Sequence, residues 1–164
     1  MRPLLSRLHS ALLRIEDGLL VTALAAMILL ACTQILLRNL WDSGISWGDP
    51  TLRVLVLWVT LLGAMAATRE GNHIRIDLLS RYLPERLRDW SRRLTDLFAA
   101  SVTGLLAWHS GRFVVFEWED GGVLFGQVPA WACEAIMPLG FTVMALRFLT
   151  ATLLGRPARA EPLP

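Results

Sequence analysis

The sequence predicts an all-α integral membrane protein with four transmembrane helices, and its composition and its apolar blocks support this prediction. The chain of 164 residues is 54% hydrophobic and only 18% charged, with a mean hydropathy of +0.48. A soluble domain carries about 25% charged residues. Four long apolar blocks follow one another. We expect one membrane domain over residues 1–155, with spans at about 17–38, 49–69, 96–116 and 130–154, and a short disordered tail at 156–164.

The first span is the most clearly marked. Gly18 to Leu37 is an unbroken uncharged run, which matches the roughly 20 residues that cross about 30 Å of hydrocarbon. A cleaved signal peptide is the alternative, because the chain begins with a basic segment and the residues up to Cys32 resemble a lipoprotein cleavage site. The apolar run continues past Cys32 to Leu37, which favours a retained span.

The three later blocks contain isolated charges. The second block extends past Arg53, the third extends past Arg112, and the fourth contains Glu134 and Arg147. Pro138 falls inside the fourth block and cannot donate a hydrogen bond to the carbonyl four residues earlier. We therefore expect a kink or a freed acceptor in the fourth span.

The arginines set the expected orientation. In a chain with four spans, every arginine except Arg38, Arg53 and Arg112 falls on the side of the two termini. The positive-inside rule places that side in the cytoplasm, so both termini are expected there. Tryptophans agree with this topology, since several lie near the expected outer span ends, where an aromatic belt is found: Trp41, Trp47, Trp118 and Trp131.

The segment between spans two and three has an amphipathic helical pattern. Trp90 and several leucines recur at helical spacing, with arginines between them. This pattern predicts an interfacial helical segment that anchors the protein in the membrane. It fits a helix lying along the membrane surface and an N-terminal extension of span three equally well.

Four charged residues are expected at similar depth near the outer ends of the spans. Asp49 and Pro50 form a favourable start for the second helix. Arg53 lies four residues after Asp49 on the same face, so these two side chains can pair. Arg112 and Glu134 fall at a comparable depth on the next two spans. Charges there are costly unless they are paired or face protein, so a paired cluster is favoured over independent contacts with lipid headgroups.

The sequence contains no catalytic or cofactor-binding pattern. It has no nucleophile–base pair, no phosphate-binding loop and no Cys-x-x-Cys-His motif. His109 is the only histidine deep in a span, which disfavours a bis-histidine haem anchor of a redox complex. The arginines form no basic stripe, so no nucleic acid partner is expected. We expect a protein that is not an enzyme, with no metal site and no cofactor of its own.

Motifs spread over about residues 15 to 150 occur in an order that resembles a known family. They are Trp47-x-Asp49-Pro50-x-x-Arg53, then Trp58 and Gly63, then Gly71-x-His73-Ile74-x-x-Asp77-Leu78, and later Val128-Pro129-Ala130-Trp131 and Ile136-Met137-Pro138-Leu139-Gly140-Phe141. Together they look like the small membrane subunit of TRAP (tripartite ATP-independent periplasmic) transporters. The chain departs from that family's usual two adjacent acids, because Pro50 stands at the second position.

The resemblance implies a scaffold subunit in the bacterial inner membrane. Such a subunit binds the large transport subunit of a sodium-coupled importer of organic acids, and a periplasmic solute-binding protein delivers the substrate. Sodium is then expected on the large subunit, and the bilayer is the other partner. The candidate structural or partner-contact residues are Trp47, Asp49, Arg53, Gly71, His73, Asp77, Arg112, Pro129, Trp131, Glu134 and Pro138.

A self-sufficient, homo-oligomeric small four-span exporter is the alternative function. Proton-coupled exporters of this size need a carboxylate inside the membrane, typically in the first span. The run from Gly18 to Leu37 contains none, which favours the scaffold interpretation.

Overall fold

The computed structural model describes residues 2–70 and 85–154, which are almost entirely helical. The first helix, α1, is Arg2–Trp41. Its polar side chains within the apolar run bond to the helix itself, since the hydroxyls of Thr22 and Thr33 donate to carbonyls one turn earlier at 2.7 and 2.8 Å. Such bonds satisfy hydroxyl groups where no water is present. After the helix, Asp42 has a positive φ of 47°, which reverses the chain direction.

The second helix, α2, is Gly48–Glu70 and agrees with the predicted second span at 49–69. Asp49 lies in its first turn, and Pro50 follows where a missing backbone N–H leaves no helical hydrogen bond unmade. The hydroxyl of Thr51 donates to the carbonyl of Trp47 at 2.7 Å. The helix therefore starts close to the predicted position, but Asp49 lies inside the first turn and its side chain bonds to α1 instead of capping α2.

The third helix, α3, is Glu85–Asp120 and is continuous over 36 residues. The predicted amphipathic segment, so far as it is described, is the first part of this helix rather than a separate surface helix. Of the two interpretations that the sequence left open, the described residues therefore match the extension of the third span. At 1.5 Å per residue, α3 is about 54 Å long.

The fourth predicted span is two helices in line, α4 at Ala130–Glu134 and α5 at Ile136–Leu154. A short hairpin precedes them, in which β1 (Val123–Phe125) pairs antiparallel with β2 (Val128–Pro129). The break at Ala135 lies three residues before Pro138, which lacks a backbone N–H to donate one turn back. The predicted interruption by Pro138 is confirmed.

The packing of these helices is slender. The principal helix pairs are α3 on α5, α1 on α2, and α2 on α5. The core is centred on Leu61, Met144 and Phe148, with small residues of α3 such as Ala100 packed against it. Most large apolar side chains on α1 and α3 remain exposed, including Trp108 at 68%. Such a surface requires an apolar environment around the protein.

Three helical segments in the described part of the chain are long and apolar enough to cross a membrane. They are Ser10–Trp41, Gly48–Arg69 and Ala130–Leu153. The third helix, α3, is not one of them, because its charged residues lower its hydropathy. The fold is thus that of an all-α membrane protein.

Candidate functional site

A network of four charged side chains joins three helices at the end of the bundle near the start of α1. Glu16 and Asp17 lie on α1, Arg69 lies near the end of α2, and Arg147 lies in α5. We call these four residues the Glu16–Arg147 cluster. Arg147 donates to both carboxylate oxygens of Glu16, at 3.1 and 2.8 Å. Arg69 donates to Asp17 at 2.6 Å and approaches Glu16 at 3.9 Å.

The environment of the cluster differs sharply between its two acids. Glu16 is buried, with 7% of its surface exposed, whereas the side chain of Asp17 is 52% exposed. Arg147 also donates to the backbone carbonyl of Met65 and, at 3.4 Å, to the hydroxyl of Thr68. A buried ion pair is stable only when further hydrogen bonds satisfy the remaining polar atoms, and this condition is met here.

The Glu16–Arg147 cluster carries two positive and two negative charges, so its formal charge is zero. Its acids come from one helix and its arginines from two others, so it connects α1 to both α2 and α5. Apolar packing links α1 mainly to α2. The arrangement can therefore fix the position of α1 against α5, which apolar contacts alone do little to determine.

A second polar contact joins α1 and α2 at the opposite ends of these helices. Gln34 is 4% exposed, and its amide donates to the carbonyl of Ile45 at 3.0 Å and to Asp49 at 3.2 Å. The Gln34 side-chain oxygen accepts from the backbone N–H of Ile45 at 3.1 Å. Arg38 pairs with the other oxygen of Asp49. We call this group the Gln34–Asp49 clasp, because it closes the loop between the two helices.

Gly48 packs directly against the clasp. A Cβ atom at this position would lie 2.9 Å from both amide heteroatoms of Gln34. Real Cβ atoms essentially never approach other atoms so closely, so a larger residue would displace the buried amide. A side chain at position 48 would therefore have to shift the amide end of Gln34 and strain the hydrogen bonds that hold it.

The predicted pairing of Asp49 with Arg53 is not what the structure shows. Asp49 bonds to Arg38 and Gln34 on α1, while Arg53 is exposed and has no ion pair among the described residues. The physical reason is the short connection after Trp41, which brings the last turn of α1 beside the first turn of α2. A neighbouring helix can then offer Asp49 a better partner than the next turn of its own helix.

The other two members of the predicted four-charge cluster, Arg112 and Glu134, also do not pair with the rest of it. Arg112 is exposed on α3 and lines a cavity there. Glu134 ends α4, and one of its carboxylate oxygens is buried without a hydrogen-bond partner in the described structure. No paired cluster of Asp49, Arg53, Arg112 and Glu134 therefore forms within residues 2–70 and 85–154.

The helix break near Pro138 is held by a tryptophan of α2. The indole N–H of Trp58 donates to the backbone carbonyl of Cys133 at 2.9 Å. An indole bond to a carbonyl next to the break satisfies a polar group inside an apolar region. In the sequence, Trp58 stands only among the motif residues that resemble a known family, and nothing there indicates this hydrogen bond.

The remaining predicted residues lie in three places. Pro129 is the residue before α4, and Trp131 in α4 stacks near Trp118 with ring centroids 6.0 Å apart. Trp47 is exposed at the loop before α2. The predicted turn residues Gly71, His73 and Asp77 fall outside the described residues. Within the described residues, no group of three or more His, Cys, Asp or Glu side chains is placed to hold a metal ion.

Sequence reasoning missed the Glu16–Arg147 cluster and most of the Gln34–Asp49 clasp. A signal for the cluster exists, because Arg147 interrupts an apolar block and the pair Glu16-Asp17 stands directly before one. Opposite charges at the same expected depth of two spans are candidates for a pair. For the Gln34–Asp49 clasp, the available signal was Gln34 itself, because it is a polar residue in the last third of an otherwise apolar span.

These features define a class of protein: a slender helical membrane protein in which six charged residues connect helices of the same chain. Comparison with known proteins identifies the family. Residues 27–157 match the family described as "Tripartite ATP-independent periplasmic transporters, DctQ component", and the chain belongs to that family. It is a small permease subunit of a TRAP transporter.

Curated relatives of the chain are small or larger TRAP permease proteins. The chain is 23% identical to the C4-dicarboxylate TRAP transporter small permease protein DctQ of Vibrio cholerae, over 82% of this chain and 68% of the relative. It is equally similar to the protein of the same name from Pseudomonas aeruginosa, over 82% of this chain and 79% of that protein. It is 29% identical to the sialic acid TRAP transporter permease protein SiaT of Haemophilus influenzae, over 84% of this chain but 22% of that protein.

Proposed function

We propose that this chain is the scaffold subunit of a sodium-coupled TRAP importer of organic acids. In this role it binds the large transport subunit within the inner membrane and carries neither substrate nor sodium itself. The family match over residues 27–157 is the observation that carries the proposal. The charge pattern of the structure supports it.

The proposed topology has four spans with both termini in the cytoplasm. The third helix, α3, packs antiparallel along α5, with Ala100 near the Phe148 region and Gly111 facing Pro138. Since α5 is itself a candidate span, a helix of about 54 Å lying along it is long enough to cross about 30 Å of hydrocarbon. With four spans, the arginine distribution places the Glu16–Arg147 cluster on the cytoplasmic side and the Gln34–Asp49 clasp on the periplasmic side.

The scaffold role is supported by how the membrane-embedded charges are used. Glu16 and Asp17 are both engaged by arginines of this chain, and Asp49 is engaged by Arg38 and Gln34. These carboxylates hold helices in place, so they are poorly suited to bind and release a coupling ion. The exposed apolar faces of α1 and α3 provide the surface for a membrane partner.

The proposed partners and substrate class follow from the relatives. The match to SiaT of Haemophilus influenzae covers only 22% of that permease, so a much longer stretch of transporter accompanies the matched region there. We infer that a separate large subunit accompanies this chain and that a periplasmic solute-binding protein supplies the substrate. The names of the relatives include C4-dicarboxylates and sialic acid, which are carboxylic acids.

The alternative of a self-sufficient exporter is not favoured. A proton-coupled exporter needs a titratable carboxylate available in the membrane. Glu16, the buried one of the two acids that precede the first apolar run, has both carboxylate oxygens bonded to Arg147. This carboxylate holds α1 against α5, and the adjacent Asp17 is engaged by Arg69.

Reconstituted uptake tests the proposal. The large permease is placed in proteoliposomes with or without this chain, and radiolabelled C4-dicarboxylate or sialic acid is added with the cognate binding protein under an inward sodium gradient. We expect uptake only when both membrane subunits, the binding protein and sodium are present. Equal uptake without this chain would contradict the scaffold role, and uptake by this chain alone would favour the exporter.

A further inference from the structure

Two adjoining cavities run along α3, and Ala107 lines both of them. The first has a volume of about 420 Å³ and the second about 310 Å³. The second lies between α3 and α5 and is lined by apolar and small side chains from Leu97 to Leu149. We call the two together the α3 groove.

The end of the groove nearer the hairpin carries two opposite charges. Arg112 and Glu119 both line the first cavity, together with Trp108 and Phe116. They are seven residues apart, so they lie on the same face of α3 and about 10 Å apart along its axis. Neither side chain makes an ion pair or a hydrogen bond to any described residue. Unpaired charges beside an apolar groove call for an occupant that supplies both counter-charges.

We propose that the α3 groove binds one phospholipid with a zwitterionic ethanolamine headgroup. Its phosphate pairs with Arg112, its ammonium pairs with Glu119, and one acyl chain lies in the apolar part of the groove. The order of charges matches this lipid, because the arginine is nearer the apolar part and the acid is further out. The proposal rests on α3 crossing the bilayer, as the proposed function requires.

The length of the groove suits an acyl chain. From Arg112 to Leu97 it extends over 15 residues of α3, about 22 Å, which exceeds one hydrocarbon leaflet of about 15 Å. A single lipid tail is narrow enough to lie along both cavities.

Bound lipid in the purified transporter complex tests the proposal. The complex of this chain with its large subunit is incubated with palmitoyl-oleoyl phosphatidylethanolamine or with phosphatidylglycerol of the same chains, and retained lipid is counted by native mass spectrometry. The variants are Arg112→Gln, Glu119→Gln and Ala107→Phe, the last of which fills the groove without changing charge. Arg53→Gln is the matched control, since Arg53 is an exposed arginine of α2 outside the groove.

We expect the wild-type complex to retain phosphatidylethanolamine in preference to phosphatidylglycerol. Arg112→Gln should lower that retention about tenfold, since a bond to a charged group is lost. Glu119→Gln should remove the preference between the two lipids, and Ala107→Phe should displace both. Equal retention in Arg112→Gln and Arg53→Gln would overturn the proposal, as would equal retention of both lipids by the wild type. Because the readout is bound lipid, this proposal can fail while co-purification and transport remain intact.

Discussion

The Glu16–Arg147 cluster gives a prediction in which neighbouring residues of one helix serve as test and control. Glu16→Gln removes the charge that faces Arg147, and Asp17→Asn removes the charge that faces Arg69. Glu16 is 7% exposed and Asp17 is 52% exposed, so the first change leaves Arg147, which is 23% exposed, without its counter-charge, while the second affects a solvent-accessible pair.

The expected magnitudes are well separated. Breaking a buried ion pair by removing one partner costs about 3–5 kcal/mol of unfolding free energy, and an exposed pair is worth about 0.2–1 kcal/mol. For a chain of this size, 1 kcal/mol shifts Tm by roughly 2–4 °C, so Glu16→Gln should lower Tm by about 6–20 °C and Asp17→Asn by less than about 4 °C.

The assay is thermal unfolding of the purified chain in mild detergent, followed by tryptophan fluorescence. The double variant Glu16→Gln with Arg147→Met should recover part of the loss, because it no longer contains Arg147 without its counter-charge. Equal loss of Tm in Glu16→Gln and Asp17→Asn would refute the reasoning. A double variant whose loss equals the sum of its two single losses would refute the coupling between Glu16 and Arg147.

Three further predictions use the same thermal assay. Trp58→Phe keeps an aromatic ring but loses the indole N–H that donates to the Cys133 carbonyl beside the helix break, so it should lower the free energy of unfolding by about 1 kcal/mol. Trp108→Phe, on an exposed face, should change that free energy little. Equal losses in the two variants would contradict the hydrogen bond. Gly48→Ala should lower the free energy of unfolding by about 1–3 kcal/mol, because the new Cβ meets the buried amide of Gln34. Gly63→Ala has open space around the new Cβ, so it should stabilise α2 by about 0.5–1 kcal/mol. Arg53→Gln should change stability by less than about 0.5 kcal/mol, and a larger loss would indicate that Arg53 has a structural partner after all.

The helices themselves could be predicted well from the sequence, because length and hydropathy determine membrane-spanning segments directly. The second span was placed within one residue of α2 at each end. The first and third helices extend beyond the predicted spans, since a helix continues into polar sequence where nothing interrupts it. The interruption of the fourth span followed from Pro138, whose missing N–H is a local property of the residue.

The polar contacts between helices could be predicted only in part. The spacing of Asp49 and Arg53 indicates that they can meet on one helix, but it contains no information about side chains on another helix. Arg38 reaches Asp49 only because the connecting loop places two helix ends side by side. Likewise, Glu16 and Arg147 are 131 residues apart, and their pairing depends on how three helices pack. Local patterns identify such residues as unusual without identifying their partners.

Co-purification from the native membrane is the most direct test of the claim that this chain is a scaffold for a larger permease. The tagged chain is extracted in mild detergent, and the mass and composition of the purified species are determined. We predict a stoichiometric complex with one large, multi-span membrane protein that carries the transport activity. Recovery of the chain only as a homo-oligomer, with no such partner, would contradict the account.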